Sequence, residues 1–179
     1  VMWSPVEKTA LAEAEVEYYD HTSTTIYVRF PVITASVPAL EGAAIVIWTT
    51  TPWTMPGNRA VAYGAAIDYA VIEVTGVAEN SMAKTGEKLL VAQALLDAFT
   101  NACGITSHEV KATLKGADMA GTICAHPLRG QGYEFDVPAL AAGFATTDEG
   151  TGVVHIAPGH GADDWVLGMQ NGVEVPQTV

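Results

Sequence analysis

The sequence predicts a mainly β fold, a barrel or sandwich carrying a few short helices. Three observations support this. Strand-like runs recur along the chain, turn residues separate them, and only two stretches show helical spacing. A doubly wound parallel sheet would instead alternate strands and helices throughout.

Taken in order, Thr22 to Val32 alternates, with Ile26, Val28, Phe30 and Val32 on one face and Tyr27 and Arg29 on the other, as in a half-buried strand. Ala43 to Trp48 is a continuous apolar run ending in threonines, the pattern of a fully buried strand. Further strands are expected at Ala60–Tyr63, Tyr69–Val74, Lys88–Val91, Glu109–Leu114, Thr122–Ala125 and Gly152–Ile156. Turn signals lie between them at Pro56-Gly57-Asn58, Thr75-Gly76, Gly130-Gln131-Gly132 and Asp148-Glu149-Gly150. One helix is expected over Ala92 to Ala102, with Leu95, Leu96 and Phe99 on one side and Gly104 as its stop. A second starts near Asp163 and runs to Gly172.

The chain has 179 residues, 20 acidic against 8 basic, for a formal charge of −12. That length suits one domain, read as residues 1–179, with 1–20 and 173–179 as flanking segments leading to a larger body. The ending Val175-Pro176-Gln177-Thr178-Val179 stops mid-pattern, as in a piece of a longer protein. No uncharged apolar run nears the roughly 18 residues that span a bilayer, so no membrane partner is expected. The amino terminus lacks a secretory pattern, and Cys103 and Cys124 are too few for a disulfide framework, which predicts a reducing, cytoplasmic setting. The basic residues are scattered, without the stripe by which a free-standing nucleic-acid binder neutralises phosphates. Any nucleic acid must be held mainly by something else.

Two segments carry chemistry. In Trp48-Thr49-Thr50-Thr51-Pro52-Trp53-Thr54-Met55-Pro56-Gly57-Asn58 a buried strand opens into a hydroxyl-lined turn. Its two prolines pre-order Thr51 and Met55. Hydroxyls and free amides at the end of a rigid element can grip a small polar ligand or a water, although strand propensity alone also accounts for the threonines. In Gly150-Thr151-Gly152-Val153-Val154-His155-Ile156-Ala157-Pro158-Gly159-His160-Gly161-Ala162-Asp163-Asp164 a strand enters a Pro-Gly-His-Gly turn and then a helix. His155 stands where a dinucleotide fingerprint needs its third glycine, so that reading fails. A metal site of His155, His160 and an aspartate has no recognised ligand spacing. One of the adjacent aspartates is expected to cap the helix. The other, about 100° round it, is then free to face a pocket and bind an ammonium group. Cys124-Ala125-His126 reads as strand residues rather than a catalytic dyad, and Cys103 as core.

Together these motifs resemble the connective-peptide editing domain inserted into the class I aminoacyl-tRNA synthetases for isoleucine, valine and leucine. Thr49-Thr50-Thr51-Pro52-Trp53-Thr54 is similar to the threonine-rich motif in its isoleucyl form; in the valyl and leucyl forms an arginine follows the second threonine. Gly150 to His155, Ala157 to Gly161 and Asp164 are similar to the second family motif, and Trp3-Ser4-Pro5-Val6-Glu7-Lys8-Thr9-Ala10-Leu11 to the entry into the insertion. The resemblance implies a β-barrel-like editing domain of a synthetase, with a few short helices, that hydrolyses the ester joining valine to the isoleucine tRNA. It also implies action on valyl-adenylate. The need is general: one methylene in an apolar pocket is worth only about 1–3 kcal/mol, isoleucine against valine being the standing example rather than a figure obtained here.

By the same resemblance Asp164, Thr50 and Thr51 are the catalytic residues, with Asp164 anchoring the α-ammonium. Thr49, Trp53, Thr54, Asn58 and His155 contact substrate. The domain itself uses no metal and no cofactor, the parent enzyme using ATP and Mg. Its partners are the 3′ end of tRNA(Ile), a valyl group and the rest of the synthetase, and the protein is expected to be a monomer. The alternatives are a valyl or leucyl sibling, a non-catalytic module that binds the tRNA 3′ end, and a small metallohydrolase.

Overall fold

The structure, a computed structural model, describes residues 2–4, 6–20 and 22–177. Near its start Trp3–Ser4 (β1) and Thr9–Ala10 (β2) form a two-stranded antiparallel hairpin. Nine further strands follow: β3 Ile26–Thr34, β4 Ala43–Thr49, β5 Ala60–Tyr63, β6 Asp68–Val77, β7 Lys88–Ala92, β8 Ile105–Lys115, β9 Ile123–Ala125, β10 Asp136–Ala141 and β11 Val153–Ile156. Two α-helices accompany them, α1 Leu96–Ala102 and α2 Ala162–Gln170.

The nine strands make one mixed sheet in the order β11-β5-β10-β9-β3-β4-β7-β6-β8. It is mainly β, as the sequence predicts, and it curls without closing into a barrel: among the described residues no ladder joins the end strands. Its two ends are instead tied through loops. The Ala92 N–H at the end of β7 donates to Thr151 O at 2.8 Å, and the Tyr69 hydroxyl of β6 donates to Gly152 O at 2.6 Å. Within the curl lies the main core, where Phe30, Ile45, Ile47, Val61, Tyr69, Val71 and Leu90 meet. The outer faces are covered separately. Leu96 and Phe99 bring α1 onto Val46, Ile72 and Val91, while Leu167 of α2 seals Ala60, Ala62 and Ile156.

Several expectations are met and a few are corrected. β3 begins at Ile26 rather than Thr22, where pairing with Thr49 of β4 begins. Its second face is not free: Tyr27 packs edge-on against Phe99 at 5.5 Å, and Arg29 pairs with Glu87. The helix expected from Ala92 starts only at Leu96, after a 3-10 turn over Gln93–Leu95, because Ala92 is committed to β7 and to Thr151. Gly104 ends it at φ +64°, a conformation that costs glycine nothing. The strand β10 went unpredicted because Pro138 sits inside it. There the chain changes partners, antiparallel to β9 up to Pro138 and parallel to β5 from Ala139. A proline without an N–H is tolerated at such a handover. Among the described residues no helix is long and apolar enough to cross a membrane.

Candidate active site

At the end of β4 the side chain of Thr49 turns inward, and its hydroxyl accepts the Thr51 N–H at 3.0 Å. Pro52 then opens a 3-10 segment over Pro52–Gly57. The backbone N–H and hydroxyl of Thr54 both donate to Thr51 O, at 3.0 and 2.8 Å. The threonine run is thus a ledge whose hydroxyls are set by one another, with Thr49 and Thr51 Oγ1 3.2 Å apart. From the other side, β11 delivers His155 opposite Val61 of β5. The Arg59 N–H bonds Ile156 O at 2.9 Å, joining the two segments where they meet. They touch again at Gly57, where an added Cβ would stand 2.9 Å from the His160 ring.

His155 is held at both ring nitrogens. Nε2 lies 2.9 Å from Thr54 Oγ1 and Nδ1 2.8 Å from Asn58 Nδ2. The Asn58 amide nitrogen also donates to Ala60 O at 2.8 Å, which fixes the amide's orientation. Nδ1 must therefore accept, so Nε2 carries the proton and donates to Thr54, whose own hydroxyl proton goes to Thr51 O. Burial, with smaller contributions from His126 and His160, lowers the His155 pKa to about 4, so the imidazole is neutral at pH 7.

Asp164 sits in the first turn of α2, and its Oδ2 accepts the Ala157 N–H at 2.8 Å. Neither Asp163 nor Asp164 caps the helix through its side chain, contrary to the expectation that one would. Gly161 is the cap residue, and the Asp164 carboxylate is spent on the β11–α2 loop. Burial raises the Asp164 pKa. The Ala157 N–H and His160 act against that, and Asp163 adds to it. The two segments enclose a cavity of about 530 Å³. The threonine ledge and His155, His160 and Asp164 form two of its walls, and Trp48, Phe144, Glu149 and Gly150 to Val154 contribute the third.

This fold and sequence have known counterparts. The isoleucine–tRNA ligase of Gluconobacter oxydans (strain 621H) is 59% identical over 181 residues, covering 100% of this chain and 19% of that protein. The isoleucine–tRNA ligase of Pelagibacter ubique (strain HTCC1062) is 48% identical over 179 residues, again covering 100% of the chain and 19% of the relative. The chain thus spans about a fifth of the length of these relatives. Among solved structures, that of GlLeuRS-CP1 matches with a TM-score of 0.63 at 16% identity, covering 85% of this chain and 66% of that one. The P. knowlesi cytosolic leucyl-tRNA synthetase editing domain matches with a TM-score of 0.58 at 11% identity, covering 83% and 64%. No protein-family model matches the chain. In sequence the chain corresponds over its whole length to a region of the isoleucine–tRNA ligases, and its fold is that of the leucyl-tRNA synthetase editing domains.

Six of the eight expected site residues, Thr49, Thr50, Thr51, Thr54, His155 and Asp164, line the one cavity. Asn58 does not. It is fully buried behind His155, and its Oδ1 has no partner among the described residues. Trp53 points outward, 66% exposed, and is absent from the lining. Sequence reasoning passed over Phe144, Thr146 and Glu149, which approach from a loop with no motif beyond its Asp148-Glu149-Gly150 turn. His160 belongs to the second motif and was weighed as a metal ligand, but not named among the site residues. Cys124 is buried in β9, its thiol pushed up to about 12 by desolvation, and His126 bonds Met55 O instead of pairing with it. Among the described residues no group of three or more His, Cys, Asp or Glu side chains is arranged to hold a metal.

Proposed function

We propose that this domain hydrolyses the ester joining a misplaced amino acid, valine, to the 3′ end of the isoleucine tRNA, and the corresponding valyl-adenylate. The observation that carries the reading is the convergence of Asp164 and the threonine ledge, more than a hundred residues apart in sequence, on one cavity. The Asp164 carboxylate, already holding the Ala157 N–H, has lone pairs left to receive the α-ammonium of the valyl group. Docked there, the ester carbonyl faces the hydroxyls of Thr50 and Thr51. Water attacks the carbonyl carbon, and the resulting oxyanion is met by these donors. The C–O bond to the ribose then breaks, and the ribose oxygen takes up the proton released by the attacking water. His155, neutral and held on both sides, serves as a wall that fixes pocket size rather than as an acid. The chemistry needs no cofactor in this domain; ATP and Mg belong to the parent enzyme's synthetic site.

In the cell the domain acts in the cytoplasm as part of a monomeric synthetase, reached through the flanking segments 1–20 and 173–179. The isoleucyl assignment rests on sequence identity over the full chain, since the leucyl structures share the fold alone. The test is deacylation of valyl-tRNA(Ile) by the full-length synthetase carrying Asp164→Ala. Losing a charge-assisted hydrogen bond there costs roughly 1.5–3 kcal/mol, so the rate falls about 10–150-fold while the fold persists. Cleavage at the wild-type rate would overturn the assignment.

A further inference from the structure

Just past β9 stands a buried histidine that does not line the cavity. His126 is 1% exposed, and both its ring nitrogens are bonded. Nδ1 accepts the Leu128 N–H at 3.1 Å, so Nε2 carries the proton and donates it to Met55 O, also at 3.1 Å. Aromatic neighbours hold the ring in that orientation. Tyr133 stacks on it at 4.8 Å and 16°, Phe135 tilts against it at 5.2 Å, and Phe30 meets it edge-on at 6.3 Å.

The acceptor of that bond leads to the cavity. Met55 lies in the 3-10 segment that extends the threonine ledge, and its carbonyl also accepts the Asn58 N–H at 3.1 Å. Asn58 in turn donates from Nδ2 to His155 Nδ1, His155 donates to Thr54, and the Thr54 hydroxyl donates to Thr51 O. A continuous series of bonds thus runs from His126 to the ledge. The segment has few other anchors of its own. Pro52 and Pro56 have no N–H to give, and Trp53 points to solvent. β4 fixes its near end, and the Arg59 N–H ties its far end to Ile156 O. Between the two, Met55 is held by its side chain in the main core and by its carbonyl on His126. Groups that meet a transition state keep their geometry only when the residues behind them are locked in turn.

We propose that His126 is a positioning residue for deacylation, setting the threonine ledge against Asp164 through the Met55 carbonyl. The inference rests on the editing reading and adds to it a residue outside the cavity.

The test is a pair of substitutions in the full-length synthetase. In His126→Gln an amide N–H stands about where Nε2 stood and keeps the bond to Met55 O. In His126→Asn the amide oxygen takes the place of Nδ1, keeps the Leu128 N–H and leaves Met55 O out of reach. Both variants lose the stacked ring, so a merely structural role predicts equal damage. Positioning predicts a split. His126→Asn lowers kcat for valyl-tRNA(Ile) about 2–13-fold, the worth of one hydrogen bond, at unchanged KM, while His126→Gln keeps kcat near wild type. Equal kcat in the two variants, or the larger loss in His126→Gln, while the wild-type enzyme cleaves the ester, overturns the positioning role and spares the editing reading. Should neither variant fold, Tyr133→Ala decides, because it frees the imidazole and keeps both its nitrogens. A lower kcat at unchanged KM then supports the role, and a wild-type kcat overturns it. A wild-type enzyme that leaves valyl-tRNA(Ile) intact overturns the editing reading, and this inference with it.

Discussion

His155 lies at the centre of the cavity wall, yet it is built not to titrate there. Its ring is buried, Asn58 and Thr54 use both nitrogens, and its pKa lies near 4 against an ordinary value of 6.5. Because folding lowers this pKa, the neutral ring contributes stability that is fully present above about pH 6.5 and lost as the pH falls through 4. That contribution is on the order of 3 kcal/mol. Urea unfolding between pH 4 and 7.5 is therefore expected to show stability falling steeply towards the acid end. In His155→Gln the fall should be shallower; what remains would come from carboxylates and from His126, whose pKa burial also lowers. Equal slopes in the two proteins would remove His155 as the buried neutral group. At this scale the motif picks out residue types that the structure gathers round the cavity, while Trp53 faces solvent and Asn58 lies behind His155; adjacency in a turn does not tell which residue faces the cavity, which faces solvent and which sits behind its neighbour.

Secondary-structure elements were legible wherever a run of apolar residues reported on its own burial, as in β4, β5 and β7. They were illegible where tertiary partners decide. β10 carries Pro138 and exists because β9 and β5 take turns pairing with it. The 3-10 segment after Thr51 depends on the threonine hydroxyls, and it meets the β11–α2 loop at Gly57. That contact yields a prediction. In Gly57→Ala the new methyl stands 2.9 Å from the end of the His160 side chain, which must swing aside. Overpacking of this kind typically costs about 1–3 kcal/mol, and a movable ring at the surface keeps the cost at the low end. Deacylation is expected to fall by much more than the melting temperature suggests, because His160 and Asp164 share the cavity wall. A variant with wild-type deacylation and a displaced His160 would show that the wall tolerates the shift.

At the scale of the whole molecule, the two cavity segments face each other because the sheet curls. The curl is tied where the loop before β11 reaches β6 and β7. Tyr69 is central to that seam: fully buried, its hydroxyl donates to Gly152 O at 2.6 Å and accepts the Gly64 N–H at 3.1 Å. Burial raises its pKa to about 12, so it stays protonated and able to donate across the working range. Pattern reading could not find this tie, since a tyrosine in an apolar strand looks like core from the sequence, and it is core on every side but its tip. Tyr69→Phe keeps the ring and leaves a buried carbonyl and a buried N–H without their partner. The expected cost is about 1–3 kcal/mol per group left unsatisfied, read as a lower urea midpoint at unchanged m-value. If the seam holds the cavity together, deacylation of valyl-tRNA(Ile) drops in the same variant under conditions where it is still folded, although no cavity-lining side chain has been altered. Lost stability with full deacylation would instead mean that the threonine ledge and Asp164 are held in register by their own local bonds, Arg59 to Ile156 above all, and that the curl of the sheet contributes only to stability.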